Sequence, residues 1–415
     1  MLSESKAPKL RVDPRPHALK TPNSGASRVS QQKSKGGTMR IRIDSNRFAA
    51  HQVLTPTVAL IALLSCNLIS RNTAYAQPTP VDLTELGLEE ILAMPIVATG
   101  DESEPVELTS RNRFRFGYEY VQARFEHYQD GTDRLSVADV FAAGFPVVPA
   151  RITQEAHLFK IGYQLNDRTS LNLQVPYIRQ STFHFGDTSR LAPQFGEFTI
   201  DTQGLGDTLL STSYVVWTRG RHALVLDGGF SFPTGAIDML GRTPRNANQD
   251  TLVPYTMQLG SGTVDFKPAI TYIGSSDWLE WGTRAQGTVR LGKNYRDYSL
   301  SDRFALRNWV TLTTYKTFQP SLRLATEIWT QIHGADTDLF VPTPTGPFTP
   351  APVTDPELFG GEKVSVGFGV RIPFRKGFLR GQSVDLDASV PVYQSLNGPQ
   401  PGEEWRFGIS WNWAL

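Results

Sequence analysis

Residues 403–415 read EEWRFGISWNWAL, and every second residue from Trp405 onward is apolar. Successive side chains of a β-strand point to opposite faces, so this segment has one apolar face and one face of Arg, Gly, Ser and Asn. A soluble sandwich can bury such a stripe, whereas a strand wall in lipid needs one on every strand. The rest of the chain therefore decides between the two folds.

Charge divides the 415-residue chain into two parts. The chain has 41 Lys and Arg against 40 Asp and Glu, but residues 1–76 contain 12 basic and 3 acidic residues. Beyond Ala76 there remain 29 basic and 37 acidic residues, a net charge of about −8. A basic leader thus precedes an acidic body, which is long enough for two or three domains or for one closed barrel.

The leader has the pattern of a secretory signal. Residues 1–38 are rich in Lys, Arg, Pro, Ser and Gly, and we interpret them as disordered or as a mis-assigned upstream start. From Met39 onward, a basic segment, an apolar run and the site Ala74-Tyr75-Ala76 predict a cleaved signal peptide at 39–76. The only cysteine, Cys66, lies inside it. A lipoprotein with Cys66 as its lipidated residue is the alternative.

Residues 77–109 form a leader segment that we expect to be periplasmic. Asp82 and Glu85 resemble a capping pair, apolar residues recur at helical spacing, and Pro95 ends the pattern, which predicts a short amphipathic helix at 82–94. The segment resembles the leader found ahead of some TonB-dependent and other outer-membrane barrels. It could serve as a handle or partial plug, or it could be a poorly ordered tail.

Beyond residue 110 apolar and polar residues alternate with period two. The strand at 305–315 has no clear orientation, because Leu306 and Val310 oppose Trp309 and Tyr315. The twelve predicted strands are 111–120, 157–165, 170–178, 208–217, 224–232, 264–272, 281–291, 305–315, 322–332, 364–372, 384–392 and 405–415.

The links between these strands alternate in length. Long or medium links at 129–156, 182–206, 233–262, 295–303, 333–361 and 394–404 alternate with short turns. A membrane barrel with both termini in the periplasm requires this rhythm. We therefore predict an all-β protein, a transmembrane antiparallel barrel of about twelve strands at 110–415, in the bacterial outer membrane. Outer-membrane lipid would be its surroundings, and its aromatic last strand would contact the outer-membrane assembly machinery.

The polar face of the strands would line the interior of this barrel. Its basic excess favours anions in an open lumen, whereas a barrel of this size could also be filled by its own ion pairs. The lumen-lining candidates are Arg113, Arg115, Glu119, Lys160, Asp227, Asp265, Lys267, Arg284, Arg290, Arg323, Glu327, Lys363, Arg371, Asp385, Asp387 and Arg406.

Three segments carry a resemblance to a known family. They are GLGDT (204–208), PYTMQLGSGTVDFKPAITY (254–272) and VPVYQSLNGPQ (390–400). Over roughly residues 105–415 the chain resembles the outer-membrane family named for the meta-pathway of phenol degradation. The resemblance implies an outer-membrane channel or transporter with aromatic compounds among its solutes. The glycines in these motifs allow special backbone conformations, so the motifs could be structural or could contact a ligand.

The sequence does not indicate an enzyme. It contains neither GxSxG nor HExxH, and the acidic stretch 126–139 lacks the spacing of an EF-hand. His127 and His157 flank the first long link and could approach each other, which leaves a lipid hydrolase as a remote alternative. We expect no cofactor, no metal and no nucleic-acid partner, and a passive channel for small solutes. The rival function is a filled structural or adhesive barrel that acts through its loops.

Overall fold

The computed structural model describes residues 114–344 and 346–414. The predicted signal peptide, the leader helix and Arg113 lie outside this range. Eleven strand elements form the closed path of an antiparallel sheet. They are β1 (Phe114–Gly131), β2 (Val147–Asn166), β3 (Thr169–Gly186), β4 (Thr208–Arg219), β5 (His222–Phe232), β6 (Asp265–Ser275), β7 (Leu279–Arg290), β8 (Arg303–Leu312), β9 (Gln319–Trp329), β10 (Gly361–Phe374) and β11 (Gln382–Ala414).

The element β11 closes the barrel and folds back on itself. Its residues 382–396 pair with β10, and its residues 400–414 pair with β1. The indole N–H of Trp411 donates to Gln382 Oε1 at 2.8 Å, although 29 residues of extended chain would span roughly 95 Å. The two limbs of β11 were counted as separate strands in the predicted total of about twelve.

Short turns and long connections alternate around the barrel as predicted. The turns follow β2, β4, β6, β8 and β10, and they define the short-turn end, where Phe114 and Ala414 also lie. The opposite end is the long-loop end. Its short strand pairs are Leu240–Gly241 with Thr251–Leu252, Tyr298–Ser299 with His333–Gly334, and Val341–Thr343 with Gly346–Phe348. Its 3₁₀ turns are Pro193–Phe195, Tyr255–Met257, Thr337–Leu339, Pro352–Thr354 and Pro356–Leu358.

Two predicted links contain a helix or a longer strand. In the link predicted at 129–156, β1 continues to Gly131, and helix α1 (Val137–Ala142) follows the short strand Asp133–Leu135. Ser136 caps α1 in a capping box with Asp139, so this part of the acidic stretch starts a helix. The predicted link 182–206 holds a strand, Glu197–Leu205, that pairs with the upper part of β3. Sequence alternation missed these extensions because neither of their faces meets lipid.

The outer wall carries an apolar belt. Between Leu165 and His157 the outer face of β2 is apolar or aromatic over about nine residues, the length that a tilted strand needs to cross a bilayer. The strand register places Tyr120, His157 and Tyr177 in one row at its upper edge. Exposed aromatic residues mark the short-turn end: Phe114, Phe116, Trp217, Trp278, Tyr315, Phe318, Trp411 and Trp413.

The strand that the sequence left unoriented has a definite inner face. Phe304, Val310 and Leu312 of β8 point outward, whereas Trp309 is buried in the interior. Trp309 packs directly on Gly282 of β7, where a Cβ atom would lie 2.1 Å from the indole. A glycine opposite the tryptophan therefore explains how a large aromatic side chain fits on the inner face.

A closed antiparallel wall with an apolar outer belt, aromatic rows at its edges and a polar interior is the architecture of bacterial outer-membrane barrels. The belt and the polar interior are both present in this chain, so the bacterial outer membrane is the location that the fold indicates. Among residues 114–344 and 346–414, no helix is long and apolar enough to cross a membrane.

Candidate functional site

The described lumen candidates lie on the inward-facing side of their strands, and most of them make close ion pairs there. Lys160 contacts Glu119 at 2.6 Å, Arg284 contacts Asp227 at 2.5 Å, and Arg371 contacts Asp385 at 2.7 Å. Arg290 pairs with Asp265 and Arg323 with Asp387, while the Lys267 ammonium donates to Thr288 at 2.9 Å and Arg115 donates to Gln164 at 3.0 Å. That these residues line a conducting pathway stays a prediction.

One buried network links the last strands of the wall. The Lys363 ammonium lies 3.3 Å from a Glu327 oxygen and 2.9 Å from a Glu403 oxygen, and Arg406 also contacts Glu403. All four side chains are at most 5% exposed. Buried charges are costly unless they are paired, so the alternation of cation and carboxylate lets this layer exist inside the barrel.

Among residues 114–344 and 346–414, three charged strand residues with almost no exposure were missing from the sequence-based set. Glu280 and Glu403 lie just before the predicted starts of their strands, and Arg307 lies on the strand without an assigned inner face. All three are at most 5% exposed. Alternation along β7 would have identified Glu280 once that strand had been extended by one residue, and an assigned inner face for β8 would have identified Arg307. Glu403 breaks the alternation that Arg406 sets, because the register with β1 shifts between Trp405 and Glu403.

A long connection enters the barrel from the long-loop end. Residues 253–262, the inward loop, place Val253 and Met257 in full burial. The Gln180 amide donates to the carbonyl of Gln258 at 2.9 Å, and the Thr202 hydroxyl donates to the carbonyl of Met257 at 2.8 Å. The inward loop is therefore attached to the inner wall and narrows the lumen.

Two of the glycine-containing segments, 204–208 and 254–272, meet at Asp207. This residue lies between the strand Glu197–Leu205 and β4. The Gly235 backbone N–H donates to Asp207 at 2.9 Å, and the Ser261 backbone N–H and hydroxyl donate to it at 2.7 and 2.6 Å. A Cβ atom on Gly260 would lie 2.5 Å from the Gly235 carbonyl and 2.6 Å from the Asp207 carboxylate. The glycines thus permit close backbone packing around a carboxylate that anchors the inward loop, which favours the structural interpretation of these motifs.

A cavity of about 200 Å³ lies between the inward loop and the ion-pair network, and we call it the chamber. Its floor includes Glu327, Lys363 and Glu403. Its apolar lining is Phe125, Ile152, Ile178, Leu259, Leu300, Trp329, Ile332, Val353, Phe359 and Leu396. Drug-sized ligands usually occupy pockets of about 300–1,000 Å³, so the chamber suits a smaller solute.

The Pro-rich connection 333–361 folds over the mouth of the barrel. Its Pro352 and Val353 line the chamber. Arg296 pairs with Asp336 and, at 2.8 Å, with Asp338, and its hydrogen bond to Asp336 raises the pKa of Arg296. The long loops therefore form a cap over the chamber that ion pairs hold together.

Tyr255 joins the inward loop to this cap. The Asp336 backbone N–H donates to the Tyr255 hydroxyl at 2.9 Å, and the two tyrosine rings of Tyr255 and Tyr298 stack edge to face at 4.8 Å. Burial raises the pKa of Tyr255 to about 12, so its hydroxyl stays protonated at neutral pH. The contact remains neutral across the physiological range.

The two histidines that flank the first long link do not meet. His127 pairs with Glu404 at 2.5 Å near the long-loop end. His157 bonds to the Tyr118 hydroxyl at 2.9 Å on the outer wall, among aromatic rings of the lipid belt. The strand register pairs His157 with Tyr120, which is seven residues along β1 from His127. The prediction that His127 and His157 could approach each other is therefore wrong.

No protein-family model and no curated protein matches the chain. Several solved structures are similar to it in shape. An outer membrane channel from Pseudomonas putida F1 has 13% identity and a TM-score of 0.49, with 76% of this chain and 100% of that chain covered. A Pseudomonas aeruginosa FadL homologue has 11% identity and a TM-score of 0.37, over 82% and 99% of the two chains. The Ralstonia pickettii toluene transporter TbuX has 10% identity and a TM-score of 0.35, over 74% and 90%. Because these values are low, we base the assignment of the fold on the strands and side chains of the chain itself.

Proposed function

We propose that the chain is a passive outer-membrane channel or transporter for small solutes. The observation that carries this proposal is the chamber of about 200 Å³ inside the barrel, with apolar residues on its sides and charged residues on its floor. A cavity of mixed character inside a membrane wall suits a step on a solute pathway. The long-loop end would face the exterior, and the short-turn end would face the periplasm.

Aromatic compounds and small anions are the solute classes that we consider. The resemblance to the phenol-degradation family supports the first, and the basic excess of the interior supports the second. Outer-membrane lipid would surround the belt, and the aromatic final strand would be the part that the outer-membrane assembly machinery contacts.

A filled structural or adhesive barrel is the second candidate, and a specific observation favours it. Ion pairs such as Lys160–Glu119 and Arg284–Asp227 occupy the interior with at most 7% of either side chain exposed. In that case the ordered long-loop cap would be the working surface, and the lumen would carry no solute.

Planar-bilayer recording tests the two candidates. The full chain is purified from the outer membrane of an expressing bacterium and examined in a KCl gradient. Discrete current steps support the channel, whereas silence over many insertions favours the filled barrel. Recording a variant that lacks residues 77–104 then tests the predicted leader helix, because current from the truncated protein alone would make that segment a plug.

A further inference from the structure

The charged side chains that line the chamber balance one another. Among the residues that the structure describes there, four carry a negative charge and four carry a positive charge. The carboxylates are Asp207, Asp265, Glu327 and Glu403. The cations are Lys267, Arg290, Arg303 and Lys363. The lining is therefore neutral as a whole, although it contains many charges.

The carboxylates of the lining already have partners in the protein. Asp265 pairs with Arg290. The Lys363 ammonium lies 2.9 Å from a Glu403 oxygen and 3.3 Å from a Glu327 oxygen. The fourth carboxylate is the one that anchors the inward loop through three hydrogen bonds. An incoming cation would therefore compete with contacts that exist before it arrives.

The two remaining cations of the lining also have partners. The Lys267 ammonium donates to the Thr288 hydroxyl at 2.9 Å. The Arg303 guanidinium lies 5.4 Å from the centre of the Trp329 ring, which is a cation–π contact. An incoming anion would thus meet the same competition as an incoming cation.

Entry into such a lining costs an ion more than it costs an uncharged molecule. Glu327 and Lys363 are at most 5% exposed, so the floor is a buried layer. An ion that leaves water for a buried layer loses its solvation and needs an opposite charge to compensate for the loss. In a balanced lining, attraction to one member of each pair is offset by repulsion from the other. An uncharged solute needs only partners for its hydrogen-bonding groups.

Glu327 supplies an acceptor for one such group. Its Oε2 faces Lys363, whereas its Oε1 has no hydrogen-bond donor among residues 114–344 and 346–414. An ionised carboxylate only accepts hydrogen bonds, so the missing donor has to come from another molecule. A buried acceptor without a donor is unfavourable, and a solute that brings an O–H or N–H group removes this cost.

The sides of the chamber suit an apolar body attached to this donor. Trp329 and Phe359 supply aromatic surface, and Leu396 and Val353 supply aliphatic surface above the charged floor. A compact ring or branched chain gains free energy when these surfaces remove it from water. The volume of about 200 Å³ leaves no room for a long chain.

We propose that the chamber selects uncharged solutes, compact molecules with an apolar body and one hydroxyl or amide group that donates to Glu327. This inference rests on the proposed channel function and names the solute class of the same lumen. Anions and cations of the same shape bind more weakly, because the balanced lining compensates neither for the loss of its solvation.

Block of the KCl current by three probes of one shape tests this selection. Cyclohexylmethanol is uncharged, cyclohexanecarboxylate is an anion, and cyclohexylmethylammonium is a cation, and all three carry the same ring. We expect the alcohol to reduce the current of the full chain at a concentration about tenfold lower than either ion, which corresponds to about 1.4 kcal/mol. This comparison needs no substitution in the protein.

Two substitutions that unbalance the lining should shift the preference in opposite directions. Glu327→Gln leaves one extra positive charge, so cyclohexanecarboxylate should become the strongest of the three blockers. Lys267→Gln leaves one extra negative charge, so the ammonium probe should become the strongest. Glu119→Gln is the matched control, because Glu119 is buried and paired with Lys160 but lies six residues along β1 from Phe125 of the lining. This control should keep the preference of the parent protein.

The outcomes separate this inference from the proposed function. Current steps with equal block by the three probes, or the same preference in Glu327→Gln and Lys267→Gln, would overturn the selection of uncharged solutes and leave the channel standing. If the full chain carries no current, the channel proposal fails, and calorimetric titration of the detergent-solubilised protein decides the site. Tighter binding of the alcohol than of either ion would then support the site, and equal or absent binding would overturn it. Heat-dependent gel mobility confirms that each variant is folded.

Discussion

Removal of the Asp207 carboxylate should release the inward loop. Asp207 accepts three hydrogen bonds of 2.6–2.9 Å from Gly235 and Ser261. Each hydrogen bond to a charged group contributes about 1.5–3 kcal/mol, and two of the three come from Ser261, so Asp207→Ala should weaken the anchoring of residues 259–262 by roughly 3–6 kcal/mol. That range raises the ratio of released to anchored loop by about a hundredfold or more. The remaining bonds from Gln180 and Thr202 to Gln258 and Met257 keep the start of the loop attached.

Single-channel recording and limited proteolysis measure this release. Asp207→Ala should show larger and noisier currents than the parent protein, and cleavage within 259–262 should appear. Asp201→Ala is the matched control, since Asp201 is exposed on the adjacent strand Glu197–Leu205. Identical current noise and identical proteolytic fragments in the two variants would refute the role of Asp207 as the anchor.

Two further substitutions test packing and orientation of the wall. Gly282→Ala should overpack against Trp309 and lower the thermal midpoint, at a cost of about 1–3 kcal/mol. Gly228→Ala is the control and should leave the midpoint unchanged, because nothing lies within 4 Å of the new Cβ atom. Equal melting temperatures of the two variants would contradict the placement of Trp309. Leu226→Lys on the outer face of β5 should destabilise the folded barrel in lipid by about 2–4 kcal/mol. Phe378→Lys, in an exposed short turn, is the control and should have little effect on stability. Urea titration in vesicles measures both variants, and equal unfolding midpoints would place Leu226 outside the belt.

The wall could be predicted because lipid imposes a strict pattern on it. Each strand needs an apolar residue at every second position within the belt, and the final segment 405–415 shows this pattern in full. Beyond the belt both faces of a strand meet water or loops, so the pattern ends before the strand does. The extensions of β1 and β3 were missed for this reason, whereas Glu403 was missed because the register with β1 shifts between Trp405 and Glu403 and breaks the alternation.

The interior and the cap depend on contacts that a single sequence does not encode locally. Lys363 and Glu403 are 40 residues apart, and they meet because β10 pairs Lys363 with Gln394 of the first limb of β11, while Gln394 is hydrogen-bonded to the Glu403 backbone. The inward loop is fixed by Gln180 and Asp207, which lie 78 and 54 residues from their partners in the loop. The alternation of residues predicts which side chains point inward, but the closed barrel decides which of them meet.

Modification of a single cysteine in the chamber tests most directly whether solutes pass through it. Cys66→Ser gives a cysteine-free background, since Cys66 is the only cysteine in the sequence. Ser231→Cys then places a thiol in the chamber, and Phe230→Cys places one on the outer face of the same strand. A negatively charged thiosulfonate reagent should reduce the current of Ser231→Cys in steps and leave that of Phe230→Cys unchanged. Full modification of Ser231→Cys, verified by mass spectrometry, with no change in current would contradict a pathway through the chamber.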